Sequence, residues 1–167
     1  MSRVKKLLYS FAAGLAAALF ALYTAGGQPG EYKASLSTAL PPEKVLPYLT
    51  EPDLIKQWMP AIVSSTPLTT GGVRQGAKSR EVIEADGQRL VAETEIIELI
   101  PNRILTVRIT MENIEAISFF RFVPGGLAHT QQVLYKGYLR PLSPFLHTVG
   151  QRQLDTDFQR LKTLLGQ

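Results

Sequence analysis

The stretch "PPEKVLPYLTEPDLIKQWMP", residues 41–60, predicts two short helices in succession near the start of the chain's globular part. Proline is favoured at the beginning of a helix, and Val45, Leu46 and Leu49 follow Pro42 at helical spacing. Pro52 breaks this first helix, and Asp53 is a suitable N-cap for a second helix that ends near Trp58. The helix pair therefore separates one segment before it from all the segments after it.

Strand patterns lie on both sides of the helix pair. Before it, "EYKASLSTAL" (31–40) alternates and stops at a proline pair, which predicts a first strand. After it, about six antiparallel strands are predicted from residue 61 to residue 139, with hairpin turns at Asp86-Gly87 and at 124–126. In "RILTVRITM" (103–111), Leu105, Val107, Ile109 and Met111 share one face.

The last segment, residues 143–165, has the spacing of one long helix followed by Gly166. Its apolar face is predicted to consist of Leu146, Val149, Leu154, Phe158, Leu161, Leu164 and Leu165. A curved antiparallel sheet must cover its apolar face, and the long helix is the available cover. The predicted fold class is α+β, with a hollow between sheet and helix in which a ligand can bind.

The order of these segments resembles the START/Bet v 1-like helix-grip superfamily (SRPBCC, polyketide cyclase/dehydrase-like) over about residues 31–165. Beside the helix pair, the matching segments are "IIELIPNRILTVRI" (96–109) with its Pro-x-Arg corner, "SFFRFVPGGLAHTQQVLY" (118–135) and "FQRLKTLLGQ" (158–167). The resemblance implies a helix-grip sheet of about six to seven strands. It also implies a cavity for lipids, sterols, quinones or polyketides, and a minority of the superfamily are enzymes that catalyse cyclisation or hydrolysis.

The N-terminus has the pattern of a membrane segment. Arg3, Lys5 and Lys6 precede Leu7–Tyr23, a run of uncharged residues that reaches about 26 Å as a helix, against a hydrocarbon core of about 30 Å. The positive charges favour a cytoplasmic N-terminus with the domain outside. The predicted organisation is a cytoplasmic basic segment (1–6), a transmembrane anchor or signal peptide (7–25), a linker (26–30) and a START/Bet v 1-like domain (31–167).

An uncleaved anchor is favoured over a signal peptide, because the apolar run is long for a signal and Tyr23 occupies a cleavage position that needs a small residue. The predicted location is the bacterial inner membrane, single pass, with the domain on the periplasmic side. The alternative is a periplasmic or secreted protein after cleavage.

Composition excludes several classes of function. The chain has no cysteine, which excludes disulfides and thiol catalysis. Of its net charge of +4, Arg3, Lys5 and Lys6 contribute three, which leaves +1 for the remainder and no basic patch for nucleic acid. A monomer or weak dimer is predicted.

The candidate chemistry is sparse. His129, in a predicted turn, and His147, near the start of the long helix, have no carboxylate at ligand spacing, so no metal site is predicted. Glu93, Glu95 and Glu98 fit a solvated sheet face, paired with Arg80, Arg89 or Arg108, better than a general base. Neither a catalytic residue nor a cofactor is predicted.

The candidate ligand-binding residues are apolar or aromatic: Trp58, Val107, Ile109, Phe120, Phe122 and Tyr135. Trp58 also fits an ordinary core position. The function predicted first is a membrane-anchored extracytoplasmic module that binds a hydrophobic small molecule or lipid. The alternatives are a polyketide cyclase/dehydratase-type enzyme and an interaction domain with a collapsed cavity.

The processing hypothesis makes a prediction about the mature protein. Because Tyr23 disfavours cleavage, the membrane-extracted protein should have the mass of the full chain, and an intact-mass measurement checks this. A soluble protein that lacks the first ~25 residues would show instead that the segment is a signal peptide.

Overall fold

The computed structural model of the protein describes residues 3–85 and 87–166, and it describes side chains from residue 13 onward. Its elements, in chain order, are α1 (Arg3–Ala25), β1 (Gly30–Ser37), α2 (Pro42–Thr50), α3 (Pro52–Trp58), β2 (Ile62–Pro67), β3 (Lys78–Ala85), β4 (Gln88–Ile100), β5 (Ile104–Met111), β6 (Ile114–Val123), β7 (Gly126–Tyr135), a 3-10 helix (Gly137–Leu142) and α4 (Ser143–Leu164).

The seven strands form one antiparallel sheet in the order β1-β7-β6-β5-β4-β3-β2. Strands β2 to β7 follow each other as a meander, and β1 pairs with the last of them. The two strands that flank the helix pair in sequence, β1 and β2, are therefore the two opposite edges of the sheet. This architecture confirms the predicted α+β helix-grip fold.

Local irregularities bend the sheet. The register shifts between Ile62 and Ser64 in β2, and again between Ile96 and Glu98 in β4. An extra residue in one strand increases twist and bends it, which allows an antiparallel sheet to curve around a helix. The β3–β4 hairpin turns where predicted: Gly87 has φ +75°, a conformation that glycine adopts without strain, whereas Asp86 lies outside the described residues.

Helix α4 packs on the concave face of the sheet. Phe158, Leu161 and Leu165 are buried in the main core with residues of the sheet that include Leu105 and Leu127.

Towards the other end of α4, Gly150 lies against β1, and a Cβ atom at that position would come 2.8 Å from the ring of Tyr32. A glycine here permits the close approach of helix and strand.

The predicted apolar face of α4 needs a correction at two positions. Val149 is 64% exposed and Leu164 is also exposed, so neither is part of the core. The buried face instead passes through Gly150, Leu154 and Phe158. An α-helix has 3.6 residues per turn, so Val149 points about 100° away from Gly150 around the helix axis.

Three other boundaries differ from the sequence prediction. Helix α3 begins at Pro52, whose fixed φ suits a first helical position, so Glu51 rather than Asp53 is the capping residue.

Strand β1 ends at Ser37, before Leu40. His129 lies inside β7 and not in a turn, because β7 begins directly after the turn at Gly125, φ +75°.

Helix α1 ends against the 3-10 helix. The Arg140 side chain donates from Nε to the carbonyl oxygen of Tyr23 at 2.7 Å, and its guanidinium lies 4.2 Å from the centre of the Tyr23 ring. The side chains of the predicted basic segment lie outside the described residues. In the part of the chain that the structure describes, no helix has both the length and the apolar character that crossing a membrane requires.

Truncating the side chain that joins α4 to the sheet should be strongly destabilising. Phe158→Ala removes a buried ring from the centre of the core, and such truncations cost about 3–5 kcal/mol of unfolding free energy. Urea unfolding followed by fluorescence of Trp58, the only tryptophan, measures the change.

The matched control is Gln159→Ala, one residue further along α4 and exposed, for which we expect a change within about 0.5 kcal/mol. Equal effects of the two substitutions would contradict the packing of α4 on the sheet.

Candidate functional site

A cavity of about 650 Å³ lies between the sheet, the helix pair and α4. This volume falls in the range of small-molecule sites, about 300–1,000 Å³. Strands β2 to β7 all contribute lining residues, whereas α4 contributes Leu154. The cavity therefore lies mainly under the part of the sheet that α4 leaves uncovered.

Four of the six predicted ligand-binding residues line this cavity: Trp58, Val107, Ile109 and Phe120. Val107 and Ile109 point inward from β5, as the alternation of that strand predicts. Trp58 is only 3% exposed, and its indole N–H donates to the carbonyl oxygen of Tyr48 at 2.8 Å. The two alternatives for Trp58 are thus compatible, because this core residue also borders the cavity.

The other two predicted residues lie elsewhere. Phe122 shares the inward face of β6 with Phe120, but it lies near the strand end, beside a smaller hollow lined by Val45 and Asn102. Tyr135 is the last residue of β7 and is buried in a second apolar cluster.

Tyr135 belongs to a hydrogen-bonded group of its own. Its hydroxyl lies 2.9 Å from the hydroxyl of Tyr32, which in turn lies 2.9 Å from Nδ1 of His147. Burial raises the pKa of both tyrosines and lowers the pKa of His147, so all three groups are neutral near pH 7. The arrangement joins β1, β7 and α4, and none of its three residues is among those that line the cavity.

Four aromatic rings stack beside the cavity: Trp58, Phe120 and His129 line it, and Phe158 packs against them from the core. His129 stacks on Phe120 at 4.3 Å between ring centres and on Phe158 at 5.2 Å, with interplanar angles of 27° and 23°. Trp58 meets Phe158 edge-on at 5.8 Å. The rings come from β6, β7, α4 and α3, so this aromatic stack connects the sheet to both helical parts of the cavity wall.

His129 is the polar member of the aromatic stack. It is 4% exposed, and neither of its ring nitrogens has a hydrogen-bond partner among the described residues. Burial away from water disfavours the imidazolium and lowers the pKa of His129 to about 4. Sequence reasoning missed this residue, although the alternation of β7 from Leu127 to Val133 contains the signal that it faces inward.

Other polar groups line the same cavity. Ser118 and Gln131 are opposite each other on β6 and β7, next to Phe120 and His129 along their strands.

On the opposite wall of the cavity, formed by β3 and β4, the hydroxyl groups of Ser79 and Thr94 are 2.6 Å apart. Glu81 also lines the cavity, and burial raises the pKa of its carboxyl group.

The glutamates singled out in the sequence lie on the outer face of the sheet. Glu93 pairs with Arg80 at 3.0 Å, and Glu95 pairs with Arg108 at 3.5 Å. These ion pairs confirm the predicted solvated face. Across β4 and β5, Glu98 accepts a hydrogen bond from the Thr106 hydroxyl at 3.0 Å.

The mouth of the cavity is formed by two exposed segments. One is the junction of α2 and α3 at Glu51 and Pro52, and the other is the β2–β3 loop at residues 69–73. Gly71 and Gly72 in this loop both have positive φ. Within residues 3–85 and 87–166, no group of three or more metal-ligating side chains is placed to hold an ion.

The family model described as "Polyketide cyclase / dehydrase and lipid transport" matches residues 30–166. The chain belongs to this family. The resemblance inferred from the order of strands and helices is therefore confirmed at the level of the SRPBCC superfamily. No curated protein matches the sequence.

Solved structures with the same fold are distant in sequence. Ara h 8.0201 is 14% identical with a TM-score of 0.61, over 82% of this chain and 97% of that one. TTHA0849 from Thermus thermophilus is 16% identical with a TM-score of 0.61, over 81% and 97%. MLL2253 from Mesorhizobium loti is 19% identical with a TM-score of 0.60, over 81% and 96%. At this identity, the likeness establishes the fold alone.

The low pKa of His129 predicts a pH dependence of stability. The folded pKa of about 4 lies below the usual 6.5, so the unfolded chain binds more protons between these values. The neutral imidazole of His129 therefore contributes to the unfolding free energy above pH 6.5. This contribution, about 3 kcal/mol in total, is lost as the pH falls towards 4.

Glu81 and Asp157 act in the opposite direction, because their raised pKa values make protonation favourable in the folded state. The measurement is therefore the difference between the wild-type chain and His129→Phe in unfolding free energy, determined by urea at several pH values. This difference should change between pH 6.5 and pH 4. Parallel pH curves for the two proteins would contradict the lowered pKa of His129.

Proposed function

We propose that the protein binds a hydrophobic small molecule or lipid in the cavity between the sheet and the helices. The observation that supports this most is the cavity itself, about 650 Å³ with an inner surface that includes Trp58, Ile96 and Val107. The family description, which names lipid transport, agrees with such a role.

The size of the cavity argues against the alternative of a collapsed interior. Protein cores pack as densely as organic crystals, and unfilled space costs about 24 cal/mol per Å³ in the cavities of truncated cores. A fold that keeps about 650 Å³ open, with a mouth at residues 69–73, has a volume suited to an occupant.

An enzymatic role receives less support from the site. The titratable residues that face the cavity include Glu81 on β3 and His129 on β7. Four strand spacings of about 4.8 Å separate these two strands along the sheet, so the residues are not neighbours there. A general acid–base pair requires both groups within reach of one reacting atom. Binding is therefore the function that the geometry favours.

We propose further that the domain works at a membrane, outside the cytoplasm. The support comes from the sequence, where Arg3, Lys5 and Lys6 precede the apolar residues 7–25. Exposed apolar side chains, Tyr138 and Phe145, lie on the 3-10 helix that α1 contacts and at the start of α4. Protease digestion of spheroplasts tests this proposal: removal of the domain from intact spheroplasts is expected, and full protection would contradict it.

Binding can be tested with butylbenzene, a neutral apolar probe. It should quench or shift the emission of Trp58, which lines the cavity, and calorimetry should give one site per chain. Val107→Phe adds volume inside the cavity and should weaken binding about tenfold or more, because the larger side chain occupies space that the probe needs.

The control variant is Thr110→Phe, which places the same side chain on the outer, exposed face of the same strand. It should leave binding unchanged. Absence of any butylbenzene binding to the wild-type chain, together with no small molecule in solvent extracts of the purified protein by mass spectrometry, would contradict the proposed function.

A further inference from the structure

The cavity contains a buried polar side chain whose hydrogen-bonding capacity is unused. His129 lies in the cavity wall, 4% exposed, with no partner for Nδ1 or Nε2 among the described residues. Buried polar groups in folded proteins nearly always have a partner, and an exception calls for an explanation such as a ligand. The other histidine, His147, does have a partner, the hydroxyl of Tyr32.

The aromatic stack determines how His129 can be reached. Phe120 and Phe158 cover the two faces of the imidazole at 4.3 and 5.2 Å between ring centres, nearly parallel to it. Neither phenylalanine ring covers the edge of the imidazole, which holds the two nitrogens, both buried. A neutral imidazole offers one donor and one acceptor at this edge, so it can bond to a hydroxyl or a carbonyl oxygen.

Neighbouring groups extend this polar edge. Gln131 is two residues from His129 on the inner face of β7, and Ser118 is opposite Gln131 on β6. Both line the cavity. The remainder of the inner surface near them, at Val107 and Ile109, is apolar. A polar strip on β6 and β7 is therefore surrounded by apolar wall.

We propose that His129, with Ser118 and Gln131, is a recognition site for one uncharged oxygen group, a hydroxyl or a carbonyl, on an otherwise apolar ligand. This proposal rests on the proposed function, since it concerns the ligand of the same cavity. It assigns the ligand to neutral amphipathic molecules, rather than to pure hydrocarbons or to fatty-acid anions.

The charges in the cavity explain the preference for a neutral ligand. A carboxylate near His129 would meet an imidazole that is uncharged at neutral pH, and it would share the cavity with Glu81. Lys78 also lines the cavity, but its amino group is 3.8 Å from the Glu95 carboxylate on the outer face. An anion thus gains no buried positive partner from the lining residues.

Three probes of similar shape test the proposal on the full chain: butylbenzene, para-butylphenol and para-butylbenzoate. Butylbenzene is more hydrophobic than the phenol, so a purely apolar cavity would bind butylbenzene more tightly. We expect the wild-type protein to prefer the phenol over butylbenzene, and to bind the benzoate most weakly, in calorimetric titrations near pH 7.

His129→Phe keeps an aromatic ring in the stack and removes both nitrogens, so it should shift the ratio of the phenol and butylbenzene Kd values by about tenfold towards butylbenzene. His147→Phe is the matched control, because it makes the same change outside the cavity lining. The wild-type ratio should persist in His147→Phe. An unchanged ratio in His129→Phe, or an equal shift in both variants, would overturn the proposal.

A second measurement does not depend on the folding of a variant. In wild-type protein labelled with ¹⁵N-histidine, para-butylphenol should move the imidazole resonances of His129 clearly more than butylbenzene does. Equal shifts with the two probes would overturn the proposal. Tighter binding of butylbenzene than of the phenol would refute His129 recognition alone, whereas binding of neither probe would refute the proposed cavity function as well.

Discussion

The stacking of Phe158 on His129 is the contact on which the architecture depends. It brings the C-terminal half of α4 against β7, and Phe120 continues the stack on β6. The edge-on contact of Trp58 with the other side of Phe158 brings α3 to the same point. Stacked and edge-to-face aromatic pairs contribute about 0.5–1.5 kcal/mol beyond the area they bury. One residue of α4 thus contacts both the sheet and the helix pair.

The position of this contact explains why a cavity exists. Helix α4 lies towards the β1–β7 edge of the sheet, where Gly150 allows it to approach Tyr32 closely. The inner faces of the strands on the other side of the sheet are left without α4 over them. They are covered instead by the shorter α3 and by the loop at residues 69–73, which do not fill the space. The asymmetry of the helix over the sheet is therefore the physical origin of the binding site.

Most of the fold could be predicted from the sequence, because its signals are local. Period-two alternation in β5 and the turn residues around Gly87 and Gly125 predict strands and hairpins that the structure contains. The site was less predictable. Phe120 and Phe122 have the same parity on β6, yet only Phe120 lines the main cavity. Which inward residue meets the cavity depends on where α4 crosses the sheet, and that is a property of tertiary packing.

The different environments of the two histidines also depend on tertiary packing and could not be predicted from the sequence. As residues in a sequence, His129 and His147 look alike, and neither has a carboxylate at ligand spacing. In the fold, Nδ1 of His147 meets the Tyr32 hydroxyl in a buried cluster that holds α4 to β1. His129 contributes to the stack with its faces and leaves its nitrogens unpartnered within the described residues. A phenylalanine would serve the stack as well and would avoid the cost of burying two polar atoms without partners, about 1–3 kcal/mol each. Stability alone therefore does not explain a histidine at this position, whereas recognition of a polar group inside an apolar cavity does.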